Sequence, residues 1–181
     1  MIKFASEFSE IPEALRNNQP LKDKVLLLIK QKPIVGKVTE GGNRLEEFKA
    51  VLARLVNNDI DFAQALHDVE DAIPRYTSIH SGSNTVFATG WPERLLRTQL
   101  SRFYNQAVME KELSEGRTEC LVPPSSSEQS SSKCSQLLAG KVHDISHLYK
   151  LLVSSYEEGN WGKEPKIPDH PHCTHVVKPL A

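Results

Sequence analysis

The stretch PERLLRTQLSRFYNQAVMEKEL, residues 92–113, decides the fold that the sequence predicts. Its opening proline is tolerated in the first turn of a helix, where the missing N–H leaves no hydrogen bond unmade. Apolar side chains then recur at helical spacing along one side: Leu95, Leu96, Leu100, Phe103, Ala107 and Val108. This spacing predicts a long helix with one broad apolar face. Glu115 and Gly116 mark its end.

Four shorter helices are predicted before this stretch, at residues 10–17, 21–30, 44–56 and about 61–73. Each carries apolar residues at the i, i+3, i+4 spacing of an amphipathic helix. The last two are joined by a short turn and are therefore expected to pack as an antiparallel pair, with Asp59 or Asp61 as the cap of the second.

Two segments between these helices have no single interpretation. The β-branched residues 34–39 fit either a strand or an extended linker, and residues 74–89 fit either a hairpin or a loop.

The chain beyond the long helix is predicted to contain a small β element. Residues 118–122 read as a strand that Pro123 and Pro124 end. A serine-rich tract follows, and residues 125–133 are expected to form a disordered loop because they offer too few apolar groups to fold. A last helix lies within residues 135–156, interrupted or restarted at Gly140, and residues 173–177 form a short closing strand.

The predicted fold class is therefore α+β and mostly α. Its β element pairs the strand after Gly116 with the C-terminal strand, closed by an HPxCxH tail. The predicted organisation is a helical N-terminal segment, residues 1–40, followed by one domain, residues 41–181.

Composition narrows the function classes. The chain has 181 residues, 39% of them hydrophobic and 25% charged, with a formal net charge of −1. A strongly basic nucleic-acid binder is not expected from this balance. No apolar stretch approaches the roughly 18 residues that span a bilayer, and the N-terminus does not read as a signal peptide. Three cysteines are too few for a disulfide framework and favour a reducing compartment.

The densest chemical pattern is the tail DHPHCTH, residues 169–175. Imidazole and thiolate are the groups that bind zinc, and a closed tetrahedral site needs four of them. Neighbouring residues rarely all reach one ion, so a partner is expected from elsewhere in the chain. The sequence thus predicts a structural zinc site with four ligands: Cys134, His170, Cys173 and His175. A hydrogen-bonded turn that docks the C-terminus is the alternative.

Two weaker patterns could support other chemistry. His143 and His147 would share a face of a continuous helix, as zinc ligands of a metalloprotease do, but Asp144 stands where that motif has glutamate. Three arginines, Arg94, Arg97 and Arg102, lie off the apolar stripe of the long helix and predict either a nucleic-acid contact or a solvated helix face.

No Gly-rich phosphate loop and no convincing nucleophile–base arrangement is present. The protein is therefore not expected to be an enzyme.

Three segments of the second half resemble the C-terminal domain of the Mu F-like phage head morphogenesis family. Residues 92–107, PERLLRTQLSRFYNQA, resemble that family's helix of the form ER-x-x-RTE-x-x-R-x-x-N-x-A. The family's C-x-x-L-x-G-K-V segment is similar to residues 134–142, CSQLLAGKV. Its closing HP-x-CRH signature is similar to residues 167–179, IPDHPHCTHVVKP. The order of the three agrees, and residues 44–73 match the family's helical pair more loosely. The sequence departs from the pattern at Gln99, Ser131 and Thr174.

The resemblance implies a minor head protein of a phage or prophage. Such a protein would act in procapsid assembly by contacts with portal, scaffold or capsid proteins. It would be found in the virion or in the host cytoplasm during assembly, with no membrane partner and with packaged DNA as a further contact. Two alternatives stand beside it: a small zinc-dependent hydrolase or nuclease built on His143, Asp144 and His147, and a non-viral helical adaptor.

Overall fold

A computed structural model describes residues 1–181 and confirms the α+β, mostly α class. The seven α-helices are α1 (Ile11–Arg16), α2 (Gln19–Gln31), α3 (Arg44–Val56), α4 (Phe62–Ala72), α5 (Trp91–Ser114), α6 (Lys133–Leu137) and α7 (Ile145–Tyr156). The three strands are β1 (Glu119–Val122), β2 (Lys141–Asp144) and β3 (Lys178–Pro179). None of the helices combines the length and the apolar composition needed to cross a membrane.

The long helix α5 is the centre of the fold. Helices α2, α4 and α7 and strand β3 all contact it. Every residue in the range 99–109 is buried, so this part of the helix is enclosed on all sides rather than on one apolar face.

Polar side chains in this enclosed stretch bind distant backbone. The Asn105 side-chain oxygen accepts a hydrogen bond from the Val177 N–H at 2.7 Å, and the Tyr104 hydroxyl accepts one from the Ala5 N–H at 2.8 Å. Since an unpaired buried N–H is costly, these bonds let the segments before α1 and before β3 pack onto α5.

The α3–α4 pair forms as the apolar periodicity predicts. Asp61 is the cap of α4, because its carboxylate accepts from the Gln64 N–H at 2.8 Å. The other end of α4 is held by the buried Arg44, whose guanidinium donates to the Ile73 and Pro74 carbonyls. Residues 34–39 are a linker without strand pairing, and residues 74–89 are a loop with one 3₁₀ turn, Arg75–Thr77.

The sheet is antiparallel with the order β2–β1–β3. The predicted pairing of the strand after Gly116 with a C-terminal strand is confirmed, with Leu121 opposite Lys178. The closing strand lies later than residues 173–177, because Val177 gives its N–H to Asn105 instead of to a neighbouring strand. Strand β2 was not predicted. It begins directly after Gly140, whose positive φ of 73° is favourable for glycine.

Candidate metal centre

The C-terminal tail returns to the short helix α6 and places its cysteine beside Cys134. The two sulfurs of Cys134 and Cys173 lie 3.9 Å apart, and both residues are buried. Ser132 fixes the start of α6 by accepting from the Ser135 N–H, and its hydroxyl lies 3.3 Å from the Cys134 sulfur. The expected contact between the tail and the segment after the serine tract is therefore present.

Two imidazoles and one carboxylate complete the group. His170 Nε2 lies 3.7 Å from the Cys134 sulfur and 3.0 Å from Glu128 Oε1. His175 Nδ1 lies 4.0 Å from the Cys173 sulfur and 3.8 Å from Glu128 Oε2. We call these five residues, Glu128, Cys134, His170, Cys173 and His175, the tail cluster.

The spacing of the tail cluster suits a metal ion. One ligand atom from each of Glu128, Cys134, His170 and Cys173 lies within 4.8 Å of all the others, close enough to hold one ion. Two sulfurs at tetrahedral positions around zinc would be about 3.8 Å apart, and a sulfur and a nitrogen about 3.6 Å apart. The observed separations of 3.9 Å between the sulfurs and 3.7 Å between Cys134 and His170 are close to these values.

Glu128 is the member that sequence reasoning missed. Its side chain is only 5% exposed, and its Oε2 accepts hydrogen bonds from the Thr174 N–H at 2.9 Å and the Thr174 hydroxyl at 3.3 Å. Glu128 is the single charged residue in the tract SSSEQSSS, residues 125–132, but its charge alone does not indicate a ligand. The tract was predicted to be disordered. In the structure it carries these contacts and a bond from Ser125 to Glu7.

The two thiols have opposite acidities. The pKa of Cys134 is lowered well below its usual range, first because the Cys173 thiol donates to its sulfur, with further stabilisation from His175, Ser132 and His170 against the effect of burial. The pKa of Cys173 is raised, because its proton is held by the Cys134 sulfur and because it is buried. The surroundings of Cys134 thus favour its thiolate, the form that binds metals.

The structure does not bring His143, Asp144 and His147 into one site. His143 lies on β2, where its Nε2 is 2.8 Å from the Leu138 carbonyl oxygen. Asp144 caps α7 by accepting from the His147 N–H at 2.7 Å, and His147 Nε2 faces Glu164. The shared helical face is wrong, because α7 begins only at Ile145.

The three arginines of α5 do not form one solvent-facing stripe. Arg94 is exposed, whereas the Arg97 guanidinium lies over the Phe8 ring, 4.2 Å from its centroid. Arg102 is fully buried at 0% exposure and donates to the Pro33 carbonyl at 2.9 Å. The prediction of an exposed stripe is wrong for Arg102, because neighbouring elements cover all sides of α5 at that point.

No protein-family model, no curated protein and no solved structure matches the chain.

Proposed function

We propose that the tail cluster binds one zinc ion as a closed structural site. The ligands are Cys134, His170, Cys173 and His175, as the residue chemistry of the tail indicates. The observation that carries this proposal is the convergence of two sulfurs and the His170 imidazole at separations close to those of a tetrahedral zinc site. His175 Nδ1 lies 4.0 Å from the Cys173 sulfur, outside the group of ligand atoms within 4.8 Å of one another, and would have to move closer to reach the ion. Glu128 also lies within reach of the ion. We assign it to orienting the site, because its Oε2 accepts from Thr174, its Oε1 lies 3.0 Å from His170 Nε2, and thiolate and imidazole groups are the usual ligands of structural zinc.

A structural role suits this site better than a catalytic one. Catalytic zinc keeps one coordination position open for water or substrate, whereas structural zinc is fully enclosed by protein ligands. Here Cys134, Cys173 and His175 are 0%, 2% and 1% exposed, and only the His170 side chain, at 36%, reaches solvent. The ion would link the tail to α6, and its binding energy would add to the stability of the fold.

The first prediction is metal content. Protein purified without chelator is expected to hold about one zinc per chain by elemental analysis, and prolonged chelation is expected to lower the melting temperature. Glu128→Gln should retain the metal, because the amide still accepts from Thr174, whereas His175→Ala should lose it. A zinc-free protein whose melting temperature is unchanged by chelator would leave only the hydrogen-bonded tail.

The biological role that we propose is that of a minor phage or prophage head protein. It acts in procapsid assembly by protein–protein contacts with portal or scaffold, and not as an enzyme. The support is the resemblance of residues 92–107, 134–142 and 167–179 to the Mu F-like head morphogenesis family. A closed metal site fits this role, since it would fix the tail without performing chemistry.

The second prediction tests this role by copurification. Tagged chain expressed during induction of a lysogen is expected to bring down portal protein. A tagged Cys173→Ser variant should bring down less, if the closed tail forms part of the contact surface. A Cys120→Ser variant should behave as the unaltered chain, because Cys120 lies outside the tail cluster. Recovery of the unaltered chain only as a free monomer would contradict the assembly role.

A further inference from the structure

A cleft of about 300 Å³ opens beside the tail cluster. One wall is the first two turns of α5, and the facing wall comes from Tyr156, Trp161 and residues 169–171. His170 borders both the cleft and the tail cluster. The cleft is a separate feature, because no other member of the tail cluster lines it.

Large apolar side chains make up much of the cleft. Val35, Trp91, Leu95, Tyr156 and Trp161 line it. The Trp161 ring packs edge-on against Tyr156, with the ring centroids 4.9 Å apart, and yet 59% of Trp161 remains exposed. Exposed apolar surface of this kind, gathered around a concavity, is typical of a binding site.

The lining of the cleft includes an amide group whose nitrogen makes no hydrogen bond within the protein. Gln99 lines the cleft and is only 5% exposed. Its side-chain oxygen accepts from Arg102 Nη1 at 3.3 Å, and a guanidinium can only donate, so the oxygen must be the atom that faces Arg102. The amide nitrogen of Gln99 makes no hydrogen bond within the protein and is not among the buried atoms, so in this cleft-lining residue it is free to donate to a ligand.

The charge of the lining favours an anion. Arg94 lines the cleft five residues before Gln99, is exposed and forms no ion pair. The one carboxylate of the lining, Asp169, is already engaged, since it accepts from the Lys166 N–H at 3.1 Å and lies 3.8 Å from Lys166 Nζ. The Arg94 guanidinium and the Gln99 amide thus remain free to donate hydrogen bonds to an acceptor on a ligand.

We propose that this cleft binds an apolar carboxylate about the size of one amino acid. Its aromatic or branched body packs on Trp91, Trp161 and Tyr156, and its carboxylate accepts hydrogen bonds from Arg94 and the Gln99 amide. A volume of about 300 Å³ is at the small end of ligand sites and suits one large side chain with its carboxylate. The same chemistry is offered by a free N-acylated amino acid and by the C-terminal residue of a partner chain. The proposal does not depend on the zinc site.

The chain provides its own reporter for the test. It has two tryptophans, and both line the cleft. Titration of the protein as purified with N-acetyl-phenylalanine is expected to change the selectively excited tryptophan emission, with a dissociation constant on the order of 1 mM for so small a ligand. N-acetyl-phenylalaninamide should bind at least about tenfold more weakly, because it lacks the charged acceptor. A short alanine peptide ending in phenylalanine identifies the source: if it binds as well as the free acid, the ligand is a chain terminus, and if not, a small molecule.

Variants locate the carboxylate. Gln99→Glu keeps an acceptor for Arg102 but replaces the cleft donor by a negative charge, and it should weaken binding by more than about tenfold. Arg94→Gln should weaken it by about tenfold and, because Arg94 is exposed, serves as the test if Gln99→Glu does not fold. Lys150→Gln removes an exposed cation of α7 outside the cleft and should leave binding unchanged. Equal binding of acid and amide, or unchanged emission up to the solubility limit of the acid, would overturn the proposal.

Discussion

Replacing Cys173 by serine is expected to abolish zinc binding and to lower the melting temperature by roughly 8–16 °C. A hydroxyl does not substitute for a thiolate, so the site loses one of its four ligands. An ion bound at a free concentration a thousand times its dissociation constant contributes about 4 kcal/mol to the free energy of unfolding. In a chain of this length each kcal/mol shifts the melting temperature by roughly 2–4 °C. Elemental analysis and thermal unfolding on the same samples measure both effects.

The chain offers a matched control for this substitution. Cys120 is also buried, at 0% exposure, but it lies on β1 and its thiol donates its hydrogen bond to the His143 carbonyl, at 3.8 Å. Cys120→Ser should keep one zinc per chain and lose little stability, since the serine hydroxyl can donate to the same carbonyl. A Cys173→Ser protein that retains its zinc, or a Cys120→Ser protein that loses as much metal, would contradict the assigned ligands.

Limited proteolysis shows whether the tail is released. Lys166 is 4% exposed, whereas Lys163, three residues earlier, is exposed. Trypsin should therefore cut the unaltered protein after Lys163 and spare Lys166. In Cys173→Ser both sites should be cut, because the tail is no longer fixed to α6. Continued protection of Lys166 would show that packing on α5 and α7 holds the tail without the metal.

The periodicity of apolar residues was sufficient to predict the long helices but not the small strands. Helices α3, α4 and α5 repeat apolar residues over several turns, so their pattern is evident locally. Strand β2, with the sequence KVHD, has one apolar residue, Val142, which is 50% exposed at the edge of the sheet. An edge strand with this composition has no alternating pattern, and only its partner β1 defines it.

Periodicity also could not show which polar residues of α5 are buried. Arg102 and Asn105 have polar side chains, which are mostly exposed in folded proteins, and are therefore expected to face solvent. Their burial depends on the Pro33 carbonyl and the Val177 N–H, which lie 69 and 72 residues away in the chain. Interactions over such separations are set by the tertiary fold and leave no local pattern.

The thiol and imidazole members of the candidate metal centre could be predicted from the chemistry of metal ligands alone. Thiols and imidazoles are scarce, so Cys134 and the tail could be paired without knowledge of the fold. A carboxylate is common and carries no such signal. Glu128 joins the tail cluster only because the tract 125–132 folds over Thr174, and low-complexity composition gives no indication of that path.

Arg102→Ala is expected to destabilise the protein by roughly 2–5 kcal/mol, whereas Arg102→Met should be within about 1 kcal/mol of the unaltered chain. Arg102 is fully buried, and burial lowers its pKa to about 10 although Glu157 lies nearby and opposes the shift. Its Nε and Nη2 atoms make no hydrogen bond, so the protein does not fully replace the hydrogen bonds that water would make to this cation. Alanine leaves a cavity, while methionine fills the space and removes the buried charge. Urea unfolding of both variants measures the difference.

The same pair of variants separates packing from nucleic-acid contact. Methionine leaves Glu157 with partners, because Gln106 Nε2 donates to it at 2.8 Å and Lys32 Nζ lies 3.7 Å away. If Arg102 acts only in packing, Arg102→Met should bind DNA with the same affinity as the unaltered chain. Arg94→Gln, at an exposed position, should change the free energy of unfolding by no more than about 0.5 kcal/mol. Equal destabilisation by Arg102→Met and Arg102→Ala would show that the buried charge itself stabilises the fold. Loss of DNA affinity in Arg102→Met at unchanged stability would place this guanidinium at a surface that opens when DNA binds.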